Sequence, residues 1–365
     1  MTRTTGGLEI RENVRLSRYT TIEVGGPARY FAVASRDEEV LEALDFASSR
    51  SLPLFVLGGG SNVLVSDAGF PGLVLRVAMR GLTSSGAERH GRFTAAAGEE
   101  WDGLVQWCVE LSLAGLECMS GIPGSVGAAP VQNIGAYGQE VGQTITALRA
   151  LDRQTRRIVE LPGRQCRFGY RSSIFNSTDR DRYVILSVSF ALRVQGESCL
   201  KHGELQQRFQ DASLRPTIRE VREAVLSLRR AKGMLISPQD PDSKSLGSFF
   251  KNPIVSGATL RRAEEQGRRC GRLSPDEVLP RFEAPEGWKV PAAFLIERAG
   301  FPKGHGNERA GISSKHALSL VNRGRATGQD VWMLASSIQA AVRNVFGIEL
   351  VPEAVLVGFD RRGQP

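Results

Sequence analysis

Residues 121–138 read GIPGSVGAAPVQNIGAYG. Five of them are glycine, three are alanine and none is charged. No helical and no alternating apolar period runs through the stretch. A chain concentrates this much backbone freedom where main chain has to approach something closely. The spacing of Gly121, Gly124 and Gly127 lets peptide N–H groups converge with no Cβ in the way, as in the backbone nests that hold anionic oxygens. Pro123 stiffens the turn, and Asn133 and Tyr137 add side-chain hydrogen-bonding groups. A solvated surface connection is the plain alternative. Such a linker would carry Ser, Lys or Glu where this loop has Val126, Val131 and Ile134.

Alone, the loop indicates a phosphate-bearing ligand and no more. A second glycine turn lies upstream. Leu54-Phe55-Val56-Leu57 predicts a buried strand, followed by Gly58-Gly59-Gly60-Ser61-Asn62 and a further strand, Val63-Leu64-Val65. Strand, glycine turn, strand is not a dinucleotide fingerprint of the G-x-G-x-x-G type, because no helix opens after the glycines. No G-x-x-x-x-G-K-[ST] loop occurs either. Two glycine turns flanked by strands fit one extended ligand with a central pyrophosphate.

At 365 residues the chain has room for two or three domains, and 41% hydrophobic with 24% charged residues is ordinary for a globular protein. A net charge of +8 favours anionic partners. The arginines are scattered, however, and no basic block is interleaved with aromatics as a nucleic-acid groove requires. A phosphorylated or carboxylated small substrate accounts for the same excess, as does a basic surface with no partner. Five cysteines, Cys108, Cys118, Cys166, Cys199 and Cys270, are odd in number and widely spaced, with no C-x-x-C. Four histidines lie far apart, with no H-E-x-x-H and none near either glycine loop in sequence. No metal site, membrane span or leader peptide is expected, so the chain reads as cytoplasmic.

Periodicity predicts strands at Arg29–Ala34, Leu54–Leu57, Val63–Val65, Phe93–Ala97, Ile145–Leu151 and Val184–Leu192. A helix after a Ser35/Glu38 capping box, with Val40, Leu41 and Leu44 on one face, and a helix from Trp101 to Leu113 are expected among them. Thr217 and Glu220 predict a further capped helix ending near Lys232. Gly233 to Lys244, GMLISPQDPDSK, has two prolines and no period, and reads as a linker or a functional loop. The last third predicts helices at Ala258–Gln266, Pro291–Ala299 and Asp330–Phe346, the last capped by Thr327 and ended by Gly347. Strands are expected at Ala317–Val321 and Val351–Val357. The chain therefore reads as a multidomain α/β or α+β protein. Its spans are 1–79 and 80–232, then 233–350, then a closing strand and tail, 351–365.

Four polar residues stand in apolar or tight surroundings. Arg171, in Phe168-Gly169-Tyr170-Arg171-Ser172-Ser173-Ile174-Phe175, is suited to clamping a carboxylate bidentately. Ser248 sits between Gly247 and two phenylalanines without a G-x-S-x-G elbow, so it reads as a proton-donating hydroxyl rather than a hydrolase nucleophile. Lys232, at a helix end, can meet a diphosphate. Glu353 enters the apolar run Val351–Val357, where an unpaired buried carboxyl holds its proton. Each has a structural alternative: an ion pair, a backbone-bonded strand serine, a solvated helix end and a water-facing edge acid.

Taken together, YTTIEVGGPARYF (Tyr19–Phe31), VLGGGSNVLVSD (Val56–Asp67), the 121–138 stretch, FGYRSSIFN (Phe168–Asn176), GSFFKNP (Gly247–Pro253), AAFLIERAG (Ala292–Gly300) and VPEAVLVG (Val351–Gly358) resemble, in that order, the UDP-N-acetylenolpyruvoylglucosamine reductase family. These are flavoenzymes of peptidoglycan synthesis. The resemblance implies a fold of the vanillyl-alcohol-oxidase (PCMH) type spanning 1–79 and 80–232, a C-terminal α/β substrate-binding domain and a tail returning to the active site. It implies non-covalent FAD, NADPH as co-substrate and the enolpyruvyl ether of UDP-N-acetylglucosamine as substrate, with no nucleic-acid or membrane partner and a monomeric state. Residue by residue, it puts Gly58, Gly59, Gly60, Ser61 and Asn62 on the flavin, with Pro123, Gly124, Ser125, Val126, Gly127, Ala128, Gly135, Tyr137 and Gly138. Arg171, Ser248 and Glu353 fall on the catalytic positions, and Tyr170, Lys232 and Asn252 on substrate contacts.

The chain departs from the family pattern in three places. Ala128 stands where a second Gly is frequent. His202 occupies the place where some members carry a Tyr that closes over the nucleotide. The spacing from Lys232 to Ser248 is longer than in the enteric enzymes. Two other readings remain at this point: another FAD oxidase or dehydrogenase of the same fold, and a non-catalytic nucleotide- or nucleic-acid-binding module.

Overall fold

A computed structural model describes residues 2–5, 7–84, 90–211 and 215–359. The span 351–365, read above as strand and tail, extends past the described residues from 360 on. The chain forms two compact units that interleave in sequence. The first takes the residues up to Val14, then Ala28–Gly60 and Phe70–Ala231; the second takes Arg15–Pro27, Ser61–Gly69 and everything from Lys232.

In the first unit, one five-stranded sheet runs in the order Thr2–Thr5, Leu8–Arg15, Pro27–Ala34, Phe70–Val77, Leu54–Leu57. Its last three strands are parallel, and Ala28, Phe31, Ala32, Leu73, Val74 and Leu75 are all fully buried. Strands covered on both faces read as such unbroken apolar runs. The helix Asp37–Ser49 buries Val40, Ala43, Leu44, Phe46 and Ala47 against the sheet. Its start differs in detail from the expected capping box. Glu39, not Glu38, accepts the Ser35 N–H at 2.6 Å, and no side chain caps the helix at Arg36.

A second, antiparallel sheet follows in the order Arg157–Pro162, Ile145–Asp152, Tyr183–Ala191, Arg92–Ala96, Leu82–Thr83. Period-2 burial along Tyr183–Ala191 puts Val184, Leu186, Val188 and Phe190 in the core. The helix after Trp101 stops at Glu110, three residues short of expectation, because Leu113–Ala114 pairs as a strand with Arg193–Val194. Both sheets and both helices pack into one apolar cluster. The helix Ile218–Ala231 does open on the reciprocal Thr217/Glu220 box.

The second unit has its own core, from Ile22 and Leu64 to Ala354. Ser245–Ser248, Ser319–Asn322 and Ala310–Ile312 form one small antiparallel sheet. The hairpin Phe282–Ala284 and Gly287–Lys289 forms another with Ile254–Val255. The helices are Gly257–Arg269, Ala292–Arg298 and Gly328–Phe346. The closing strand is shorter than expected: Val355–Val357 pairs parallel to Val63–Val65, and before it Pro352 makes an isolated antiparallel bridge to Phe250. Pro352 has no N–H to donate and Glu353-Ala354 bends, so a ladder cannot begin earlier. No helix among the described residues is long and apolar enough to cross a membrane.

The long helix Gly328–Phe346 is fixed at both ends. Gly347 takes φ 64° at its C-terminus, where a residue without Cβ is favoured. At the N-terminus Thr327 and Asp330 form a reciprocal capping box, and the Asp67 carboxylate accepts the N–H groups of Gly328 and Gln329. Thr327→Ala removes one of these partners and leaves Asp67 in place. The expected loss of stability is about 0.5–2 kcal/mol, read as a lower urea midpoint at unchanged slope.

Candidate active site

The two glycine turns meet in the first unit. A Cβ added to Gly59 would lie 2.6 Å from the Cα of Gly124, and one on Gly58 would lie 2.7 Å from Ser125 Oγ and 2.9 Å from Ala128 Cβ. Ala128 is therefore tolerated because Gly58 opposite has no side chain. A Cβ on Gly127 would come 2.5 Å from that of Ala97. The second loop is sewn to the body by backbone bonds: Trp101 N–H to Gly124 O, Val126 N–H to Glu99 O and Gly127 N–H to Ala97 O. The start of the loop hangs on Asp102, whose Oδ1 accepts the Gly121 N–H at 2.6 Å and Arg222 Nη1 at 2.6 Å, while Oδ2 accepts Arg222 Nη2 at 2.9 Å.

The Phe168–Asn176 patch is fastened to the same loop at three points. Arg171 Nη2 donates to Gly135 O at 2.8 Å. Asn133 Nδ2 donates to Gly169 O and to Glu140 Oε2, and its Oδ1 accepts the Gly142 N–H. Ser173 Oγ donates to Val131 O at 2.6 Å. Asn133 is 1% exposed with its amide oxygen and nitrogen both engaged, so it is a fastening residue of the loop. Arg171 holds φ 51°, sparsely populated for a side chain of this size, and lies over the Tyr170 ring at 5.6 Å. Strain of this kind persists only where neighbours over-determine it, as these three bonds do. Tyr137 is buried with φ 47°, and burial pushes its phenol up to about 12.

Sequence distance hid one neighbour of this loop. No histidine is close to it along the chain, yet the fold sets His202 edge-on against Tyr137, ring centroids 5.1 Å apart. His202 Nδ1 accepts the Glu204 N–H and so caps the short helix Gly203–Arg208.

The second unit holds the remaining candidates. Ser248 ends its strand opposite Ser319. The chain then runs antiparallel to 351–353: Lys251 N–H bonds Val351 O, and Glu353 N–H donates to Phe249 O at 2.7 Å. Ser248 and Glu353 are thus held one residue apart across a backbone bond. Asn62 Nδ2 donates to Glu353 O at 3.0 Å, so the end of the first glycine turn pins the acid's own backbone. Glu353 lies at the bend before the strand, half-buried, rather than in it. Asn252 Oδ1 accepts the Ala292 N–H at the start of a helix, leaving its Nδ2 as the donor end. Lys232 opens the third and longest stretch of chain in this unit.

The donor set fits a dinucleotide cofactor. Gly59 and Gly124 leave backbone bare on both turns, and among the described residues the N–H groups of Gly59, Gly60 and Gly124 find no protein acceptor. Neither turn carries an acidic side chain to repel a pyrophosphate. This is the chemistry of a flavin-binding protein, and residues 27–161 match the family model described as an FAD binding domain. Residues 239–357 match the C-terminal domain of UDP-N-acetylenolpyruvoylglucosamine reductase. Among curated proteins, the enzyme of that name from Thermobifida fusca is 45% identical over 95% of this chain and 97% of its own. That from Mycolicibacterium smegmatis is 42% identical over 96% of each. The crystal structure of the Thermus caldophilus enzyme superposes with a TM-score of 0.63 at 24% identity, covering 98% of this chain and all of that one. The chain belongs to the UDP-N-acetylenolpyruvoylglucosamine reductase family. Its fold is accordingly the PCMH-type FAD-binding fold followed by that family's C-terminal domain.

Two outcomes follow from this geometry. Gly59→Val should give a chain with no bound flavin colour and a lowered melting temperature, since the branched side chain has no space beside the Gly124 backbone and the two turns must part. The second concerns Asp102. Burial works against its charge most strongly, but the Arg222 and Gly121 hydrogen bonds and the Arg222 charge outweigh it and hold its carboxyl below the usual range. A depressed folded value gives stability that is present above the unfolded value of about 4 and lost as pH falls through the folded one. Asp102→Asn should therefore lower the melting temperature at pH 7, by the equivalent of about 1–3 kcal/mol. It should also flatten the acid limb of the stability–pH profile below pH 4.

Proposed function

We propose that this protein is the NADPH-dependent oxidoreductase that reduces the enolpyruvyl ether of UDP-N-acetylglucosamine to UDP-N-acetylmuramate in peptidoglycan synthesis. Identity to enzymes of that name across both units carries the reading. The adjacency of Ser248 and Glu353 supports the assignment of roles.

FAD held by the two glycine turns would supply the hydride-transfer chemistry that links NADPH to the substrate's terminal methylene. What remains is the work of the chain. The enol ether is not electrophilic on its own, and addition at the methylene puts negative charge on the α-carbon and, by resonance, on the carboxylate. Arg171 is assigned to pair with that carboxylate as charge grows, an interaction stronger in the transition state than before it. Its anchorage on Gly135 O and the Tyr170 ring supports this, because a guanidinium already held needs no reorganisation. Ser248 is assigned as the general acid that gives its hydroxyl proton to the α-carbon. A hydroxyl, weak as an acid, keeps its proton until a strongly basic carbanionic centre forms, whereas an exposed carboxyl would already have ionised. Glu353, in its protonated form, donates a hydrogen bond to the substrate carboxylate.

Gly58, Gly59, Gly60, Ser61 and Asn62, residues 123–128, Gly135, Tyr137 and Gly138 are the residues assigned to the cofactor. Tyr170, Lys232 and Asn252 are assigned to the nucleotide sugar, Lys232 meeting its diphosphate and Asn252 Nδ2 donating to it. On this reading the enzyme is a cytoplasmic monomer acting on small molecules, with no nucleic-acid partner.

The two half-reactions separate these roles. Ser248→Ala should leave flavin reduction by NADPH nearly intact and slow reoxidation by the enol ether about 10²–10⁴-fold. Ser248→Cys should retain part of that rate, and Arg171→Lys, lacking the planar fork, should be slow in the same half-reaction. Stopped-flow absorbance resolves both steps. Slow reduction by NADPH in Ser248→Ala, with normal reoxidation, would exclude Ser248 as the proton donor.

A further inference from the structure

The segment 233–244 joins Lys232 to the strand that ends in Ser248, and the chemistry above leaves it without a task. Its apparent lack of pattern resolves into a closed loop. Asp240 N–H bonds Ser237 O, Ser243 N–H bonds Asp240 O and Ser243 Oγ donates to Ser237 O. At its centre Asp242, 8% exposed, accepts three hydrogen bonds on Oδ2: from Ser313 Oγ at 2.9 Å, Ser314 N–H at 2.9 Å and Ser314 Oγ at 2.7 Å. Ser313 Oγ in turn accepts the N–H groups of Lys315 and His316. Lys315 Nζ reaches Asp240 at 2.8 Å. A carboxylate with three donors from one turn is held in one place.

Gly233 lies close against Asp242. The glycine has φ 64°, and a Cβ on it would sit 3.0 Å from Asp242 Cβ and 3.3 Å from Lys315 Cδ. The backbone leaving Lys232 therefore turns directly on the anchored acid. We propose that Asp242 is the positioning residue for Lys232. It fixes the Lys232–Gly233 backbone against the Ser313–Lys315 turn, so that the ammonium meets a nucleoside diphosphate without first having to be ordered. The inference rests on Lys232 being a diphosphate contact. It explains why the longer connection from Lys232 to Ser248 does not set the lysine loose.

The test uses the FAD-loaded enzyme and the UDP-linked enol ether, with Lys232→Ala as the reference. Lys232→Ala should raise the substrate dissociation constant by about 10- to 100-fold, the equivalent of one lost charge-assisted hydrogen bond. Asp242→Ala should raise it by about tenfold and by no more than Lys232→Ala does. The effect should appear in KM with kcat little changed. Gly233→Ala, which adds a methyl against Asp242 in a left-handed conformation, should do the same. The double variant Lys232→Ala/Asp242→Ala should bind no more weakly than Lys232→Ala alone, since an absent lysine cannot be misplaced. Asp242→Asn retains a neutral acceptor and should fall between wild type and Asp242→Ala, which keeps the test open if Asp242→Ala does not fold. Additive losses in the double variant, or wild-type affinity in Asp242→Ala and Gly233→Ala beside a weakened Lys232→Ala, overturn the role of Asp242. Wild-type affinity in Lys232→Ala removes the diphosphate reading itself, and the inference with it.

Discussion

At Gly59 and Gly124 two backbones pass with no space for a methyl group between them. Much of the first unit follows from that approach. The strand Leu54–Leu57 delivers one turn, and the bonds from Trp101, Val126 and Gly127 hold the other in register with it. A bare backbone seam is also a seam of N–H donors, which is what a pyrophosphate needs and what side chains would obstruct. The cost lies in the unfolded state, where glycine has the most freedom to lose. Burial of Trp101, Val126, Phe190 and their neighbours in one continuous core offsets it.

Around the seam the protein uses fully satisfied polar groups as fasteners. Asp102 with Arg222, Asn133 with Gly169, and Ser173 with Val131 each join segments far apart in sequence. Such contacts add little net energy, but an unmet partner in the same place is expensive. They therefore exclude other conformations of the loop more than they stabilise this one. Arg171 depends on this. Its left-handed backbone is tolerated because the residues around it leave no alternative path.

What was legible in the sequence was local. The glycine turns, the Thr217 and Thr327 caps, the Gly347 stop and the buried parallel strands follow from composition and period within a few residues. The misreadings came from contacts the period cannot register. Leu113–Ala114 left its expected helix for a strand partner eighty residues on, and Glu39 displaced Glu38 because its side chain points back at Ser35. Pro352 cut the closing strand to three residues. Arg171, Ser248 and Glu353 stood out as polar groups in apolar runs and Asn133 as a hydrogen-bonding group in a bare loop, but Ser173 and Asp102 gave no comparable signal. Their importance lies in partners that sequence keeps apart, as His202 beside Tyr137 also shows.

The interleaving of the two units has a consequence for the order in which they can be made. Val63–Val65 waits for Val355–Val357, and Asn62 waits for Glu353 across 291 residues. Ile22 packs into a cluster that also takes in Leu350 and Ala354. The entropic penalty of closing so long a loop grows only slowly with its length, so the finished contact is affordable, but it forms late. A chain still on the ribosome can build much of the first unit, yet it cannot close the second until Val355–Val357 has emerged. Glu353, pinned by Asn62, is in place only after that. A nascent chain that has not yet reached Val355 can therefore bring Gly59 against Gly124 without holding Glu353 beside Phe249 and Ser248.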